Sequence, residues 1–148
     1  MRIVIQRVKH AQVSINGKIH GKIPTGFMIL VGVEDSDSDK EIQYLVHKVT
    51  HLRIFADENG KMNYNLAKVN GQILSISQFT LYADTAKGNR PSFIHAGKPA
   101  HAKKIYLAFN DALRKAGFHV ETGVFGADMQ VELLNDGPST FILDTDHK

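Results

Sequence analysis

Strand signals dominate the first third of the chain. Ile3, Val4, Ile5 and Val8 are followed by Ala11, Val13 and Ile15 in alternation with other residues, and Asn16-Gly17 interrupts the run. Asn and Gly tolerate the positive φ that a type I′ turn requires, so the pattern predicts a hairpin with residues 18–23 as the return strand. Residues 27–33 form a continuous apolar run bounded by glycines, which predicts a strand buried on both faces.

From Ser38 the period lengthens. Ser38 with Glu41 makes a capping box, Asp35, Asp37 and Asp39 suit a helix start, and Ile42, Leu45, Val46 and Val49 recur at helical spacing. The spacing predicts a helix over residues 39–50. Residues 52–55 and 72–83 read as further strands, with Asp57-Glu58-Asn59-Gly60 as a turn. A second helix is predicted over residues 99–116. Pro99 stands in its first turn, Ile105, Phe109, Ala112, Leu113 and Ala116 share one face, and Gly117 marks its stop. Residues 129–134 and 140–144 complete the set as two strands flanking Asn135-Asp136-Gly137-Pro138. Many strands and two helices, with no repeat or linker-like stretch, predict a single α+β domain over residues 1–148, mainly antiparallel and barrel-like.

Composition narrows the chemistry. At 148 residues, 43% apolar and 22% charged, the chain can bury a real core. It contains no cysteine, which removes disulfides, thiolate nucleophiles, iron–sulfur clusters and cysteine-based zinc sites. No apolar run is long enough to cross a bilayer as a helix, and charge interrupts the first residues too early for a signal peptide, so a cytoplasmic protein with no membrane partner is expected. The net charge is only +3. That balance hides a segregation: residues 85–110 carry Lys87, Arg90, Lys98, Lys103 and Lys104 with His95 and His101, and not one Asp or Glu. Such a segment, entering the start of a helix, can meet phosphates through side chains and free backbone N–H groups together.

Other constellations carry less. His47 and His51 lie four apart on the first predicted helix, but no third ligand is identifiable, so no metal is expected. No phosphate-binding or dinucleotide glycine fingerprint is present, so no cofactor is expected. Residues 75–81 place Ser75, Ser77 and Thr80 with Gln78 in an apolar strand, where each needs a partner or a function. An unbulged strand would put Gln78 and Thr80 on one face. Asn135 to Thr140, taken alone, is a turn.

Taken together, Ser77-Gln78-Phe79-Thr80-Leu81 and Asn135-Asp136-Gly137-Pro138-Ser139-Thr140 resemble the paired motifs of the D-aminoacyl-tRNA deacylases. Met1 to Val8 with Ala11 and Val13, Gly88-Asn89-Arg90-Pro91-Ser92-Phe93 and residues 123–129 resemble family segments at family spacing, so the likeness spans the chain. It implies hydrolysis of the ester joining a D-amino acid to the 3′ end of tRNA, in a homodimer of barrel-like subunits with active sites at the interface. The resemblance further implies that Gly137-Pro138 has a cis peptide and reaches into the partner's site to exclude L-side chains, and that Arg7 supports that motif. Ser139 departs from the family, where Val is common.

An aminoacyl ester is already activated, so orientation, an oxyanion site and a water suffice. The expected oxyanion donors are backbone N–H groups around Phe79 and Thr80, with Ser77 and Gln78 holding the substrate end. No base adjacent to Thr80 can be read, which favours water attack assisted by the ribose 2′-hydroxyl over a Thr80 nucleophile. Two rival readings are a non-catalytic RNA-binding module and a Thr80-dependent small-molecule esterase.

Overall fold

The longest structural thread is an antiparallel pair of strands. In the computed structural model, which covers residues 1–148, β1 (Arg2–Ile15) runs beside the strand that closes the fold, β8 (Gln130–Asp144), from Arg2↔Asp144 to Ser14↔Gln130. On its other edge β1 pairs with β3 (Gly26–Gly32) through residues 2–8 and with β2 (Lys18–Ile23) through residues 11–15. The hairpin turn has Asn16 at φ 50° and Gly17 at φ 75°, the two positive values a type I′ turn demands.

Two helical crossovers then keep the strand direction unchanged. After β3 the chain forms α1 (Asp39–His51), the small hairpin β4 (Phe55–Ala56) and β5 (Met62–Tyr64), and returns as β6 (Gln72–Ser77), parallel to β3. After β6 a 3-10 turn (Phe79–Tyr82) and α2 (Pro99–Lys115) lead to β7 (Val120–Thr122), parallel to β6. The sheet is therefore mixed, order β2-β1-β3-β6-β7 with β8 on β1. The pairings of β1 with β2, β3 and β8 are antiparallel, as expected for a mainly antiparallel sheet. The expectation is refined only at β3-β6-β7, which are parallel because a strand returning through a helix enters its neighbour in the same direction. At the far edge the His20 imidazole Nδ1 lies 2.7 Å from the Thr122 carbonyl oxygen, so β2 approaches β7 and the sheet nearly closes into a barrel.

The double-sided burial of β3 follows from this layout. Phe27, Ile29 and Val31 join Ile3, Ile5, Leu45, Val49, Phe109 and Leu113 in the core under the two helices. Met28 faces the barrel interior with Val8, Val13, Ile23, Leu74 and Ile76. α1 begins at the Ser38–Glu41 capping box, where the Ser38 N–H donates to Glu41 Oε2 at 2.9 Å. α2 starts with Pro99 at its first turn and stops before Gly117, at φ 97°. No helix is long and apolar enough to cross a membrane.

Three strand expectations are corrected. Residues 52–54 are not strand; only Phe55–Ala56 pairs, because Ile54 gives its carbonyl to Arg7. The strand through residues 72–83 stops at Ser77 and tightens into the 3-10 turn. Residues 129–134 and 140–144 are not two strands about a reversal but one, β8, with a local excursion. Between the pairs Gln6↔Thr140 and Val8↔Asn135, β1 has only Arg7 while β8 has Asp136, Gly137, Pro138 and Ser139. Pro138 lacks an N–H and Gly137 sits at φ 144°, so this stretch bulges out of the ladder and pairing resumes beyond it.

Candidate active site

A cleft of about 820 Å³ opens at the carboxyl ends of the parallel strands β3 and β6, where open α/β sheets place their ligands. Val31, Val33, Ile76 and Ser77 form its floor, Phe93, Ile94 and residues 96–99 one wall, and Phe125 to Met129 the other. Gln78 and Phe79 stand at its edge. Phe79 packs edge-on against Phe93 with ring centroids 4.9 Å apart, and is 54% exposed, so an aromatic pair faces solvent at the mouth.

The 3-10 turn explains how the first motif is presented. The Gln78 N–H donates to the Val31 carbonyl at 2.8 Å, closing the strand end, and the chain then tightens over Phe79 to Tyr82. The Leu81 N–H reaches Gln78 O at 3.3 Å and the Ala83 N–H reaches Thr80 O at 3.0 Å. As the first residues of the turn, Phe79 and Thr80 have N–H groups with no acceptor within it, the donor arrangement an oxyanion needs. The turn rests on Gly32, where a Cβ would lie 3.1 Å from both the Leu81 Cβ and the Tyr82 ring. Burial pushes the Tyr82 hydroxyl well above its usual range, so it stays protonated.

Gln78 and Thr80 do meet, although not as strand neighbours: the Gln78 carboxamide Nε2 donates to Thr80 Oγ1 across the turn. Thr80 Oγ1 has no imidazole or carboxylate hydrogen-bonded to it, and a carboxamide N–H cannot accept its proton. Thr80 itself is exposed beside the cleft rather than lining it.

Of the basic residues, only Lys98 lines the cleft itself, and its backbone N–H donates to Asp35 Oδ1 at 2.8 Å, fixing the start of α2 there. Lys103 and Lys104 are exposed on α2 one turn further along. Asp84 and Ser92 exchange backbone hydrogen bonds of 2.8 Å, so residues 85–91 form a closed excursion carrying exposed Lys87 and Arg90.

The second motif lies elsewhere. Gly137 and Pro138, joined by a cis peptide, are exposed on the β8 bulge and do not line the cleft of their own chain. Arg7 sits opposite them: its Nε donates to the Asp136 carbonyl at 2.9 Å, its Nη1 to the Ile54 carbonyl, and the Asp136 carboxylate is 3.8 Å away. Asn135 closes the bulge, accepting the Ser139 N–H at 2.6 Å and donating to Thr140 Oγ1 at 3.2 Å. Ser139 Oγ is buried without a partner.

Phe93, Phe125 and Met129 take part in the cleft without having been singled out as site residues in the sequence. Phe93 and residues 125–129 fall within segments of family-like spacing, yet nothing in apolar side chains alone marks a ligand wall. His47 and His51 are exposed on α1, their rings stacked with centroids 4.3 Å apart.

A family model described as D-Tyr-tRNA(Tyr) deacylase matches residues 4–144. The chain is 54% identical over 148 residues to the D-aminoacyl-tRNA deacylase of Thermus aquaticus, covering all of this chain and 97% of that one. It is 52% identical over 145 residues to that of Bacillus cytotoxicus, with 98% and 99% covered. Among solved structures it is similar to the c-Myc DNA Unwinding Element Binding Protein, at 38% identity and TM-score 0.92, covering 98% and 99% of the two chains. A structure described as a probable eukaryotic D-amino acid tRNA deacylase shares the fold, with TM-score 0.84 at 16% identity over 96% and 97% of the chains. With its motifs on one cleft and one bulge, and relatives matched from end to end, this chain belongs to the D-aminoacyl-tRNA deacylase family.

Proposed function

We propose that this protein hydrolyses the ester of D-aminoacyl-tRNA, releasing free D-amino acid and tRNA, and so removes D-residues before they enter translation in the cytoplasm. The observation that carries the reading is the convergence on one cleft of the Ser77-Gln78-Phe79 strand end, unpaired turn N–H groups and Lys98 at the start of α2, in a chain matched over its length by deacylases.

The exposed basic residues Lys87, Arg90, Lys103 and Lys104, with Lys98 at the cleft, hold the tRNA backbone and bring the aminoacylated 3′ end into the cleft. Ser77 and Gln78 orient that end, and the Phe79 and Thr80 N–H groups receive the carbonyl oxygen as it gains charge. Water, assisted by the neighbouring ribose 2′-hydroxyl, adds to the carbonyl carbon. The ester C–O bond then breaks, the ribose oxygen leaves protonated, and the amino acid departs as the carboxylate with release of a proton. Thr80, without a base to activate it, positions rather than attacks. Neither a metal nor a cofactor enters this scheme.

Chirality is assigned to the second motif. Gly137-Pro138 is exposed on the β8 bulge and does not line its own cleft; as the family resemblance implies, in a homodimer it enters the partner's cleft and its backbone occupies the space an L-side chain needs. Arg7 holds that bulge from behind. Exclusion by fixed backbone discriminates where apolar contacts separate ligands by only about 1–3 kcal/mol per methylene. Glycine has no side chain to reject, so glycyl-tRNA is hydrolysed as a second activity.

The test is deacylation of matched D-tyrosyl-, L-tyrosyl- and glycyl-tRNA. Loss of the D and Gly esters with the L ester intact supports the reading. Binding without ester loss would favour the RNA-binding module, and an acyl-enzyme with hydrolysis of simple esters would favour the small-molecule esterase.

A further inference from the structure

The 3-10 turn that presents Phe79 and Thr80 makes few hydrogen bonds of its own, and a side chain from the start of β1 completes its support. Arg2 pairs with Gly32 in the β1–β3 register, directly beneath the turn. Its Nη1 donates to the Leu81 carbonyl at 2.8 Å. Its Nε and Nη2 both reach Asp144 Oδ2 of β8 at 2.8 Å, and the guanidinium lies 4.9 Å from the centroid of the Tyr82 ring. One planar cation thus joins β1, β8 and both residues at the end of the turn. Lysine cannot reproduce this arrangement, since an ammonium has neither the planar fork nor the face that stacks on a ring.

We infer that Arg2 is a positioning residue for the deacylase site, clamping the 3-10 turn so that the Phe79 and Thr80 N–H groups stay aimed at the reacting carbonyl. The inference rests on the function proposed above, though the clamp is measurable without it. Arg2 does not line the cleft, so its loss acts on the substrate indirectly, through the turn it holds. A donor set held in place before reaction acts mainly on the transition state. Removing the clamp therefore lowers kcat and leaves KM nearly unchanged.

The experiment compares wild type with Arg2→Met and Arg2→Lys in the full chain by two readouts. The first is deacylation of D-tyrosyl-tRNA across substrate concentrations. The expected result is kcat down by about tenfold in Arg2→Met, as for loss of one strong hydrogen bond, with KM within about twofold and only partial recovery in Arg2→Lys. The second readout is amide hydrogen exchange. The Leu81 and Ala83 amides should exchange about tenfold faster in Arg2→Met while the Leu45 to Val49 amides of α1 keep their protection. Unchanged exchange at Leu81 and Ala83 overturns the clamp whatever the activity. Faster exchange with an unaltered kcat overturns the positioning role. If wild type leaves D-tyrosyl-tRNA intact, the proposed function fails, and exchange alone decides whether Arg2 holds the turn.

Discussion

Replacing Arg7 by Met tests whether the β8 bulge must be held rigid for chiral selection. Methionine keeps most of the side-chain volume but removes the donors to the Asp136 and Ile54 carbonyls. The Arg7 side chain is only 13% exposed, so water replaces those bonds poorly, whereas the Asp136 carboxylate is 40% exposed and its ion pair contributes little. Hydrogen bonds from a charged donor contribute about 1.5–3 kcal/mol each, and after partial rehydration of the two carbonyls the loss is about 2–3 kcal/mol. Because both bonds fasten the bulge and its neighbouring loop, most of that loss falls on their local order. At about 1.4 kcal/mol per tenfold, displaced bulge conformations gain roughly thirtyfold or more in population. The assay is parallel deacylation of D-tyrosyl- and L-tyrosyl-tRNA, with urea unfolding of the same samples. The expected outcome is a lower urea midpoint and an L-to-D rate ratio raised at least tenfold. A lower midpoint with an unchanged ratio would show that Arg7 serves stability alone and would refute the link between bulge rigidity and selection.

Substituting Lys103 and Lys104 by Ala should weaken tRNA binding and lower its salt slope by about 0.7–0.9 for each phosphate no longer neutralised; an unchanged slope removes this face of α2 from the tRNA surface. Thr80→Val should retain substantial activity, and mass spectrometry during turnover should find no acyl-enzyme; a covalent adduct on Thr80 would overturn water attack. Ser139→Ala deletes a buried hydroxyl that has no partner, so the melting temperature should rise by about 3 °C, for a gain of about 1 kcal/mol. A fall in melting temperature would mean that the hydroxyl is satisfied in solution.

Local signals in the chain were legible wherever one physical rule dominated. Asn16-Gly17, the Ser38–Glu41 box, and Pro99 with Gly117 each act within a few residues, and the elements they bound stand where the pattern puts them. The parallel pairing of β3, β6 and β7 was not legible, because strand direction is decided by which crossover packs on which face and not by residues within the strand. β7 has three residues between Gly117 and Gly123, too few for a periodicity. The Asn135 to Ser139 segment carries strong turn chemistry, yet its flanking strands pair with the same neighbour, so the chain bulges instead of reversing. At the site, the meeting of Gln78 with Thr80 was anticipated from strand parity but arises from a 3-10 turn, and a turn signal was masked by the apolar Phe79 and Leu81. The anchoring of that turn by Arg2 joins residues 79 apart in sequence, a relation no local pattern carries.

The stereochemistry of ester loss tests the proposed activity most directly. Matched D-tyrosyl-, L-tyrosyl- and glycyl-tRNA, each with either a 2′-hydroxyl or a 2′-hydrogen on the terminal ribose, should be incubated with the protein and the remaining ester measured over time. Rapid loss of the D and Gly esters, negligible loss of the L ester, and a strong slowing with the 2′-hydrogen substrate are the predicted results. Equal loss of the D and L esters, or protection of the Gly ester with the D ester consumed, would contradict exclusion of side chains by the Gly137-Pro138 bulge.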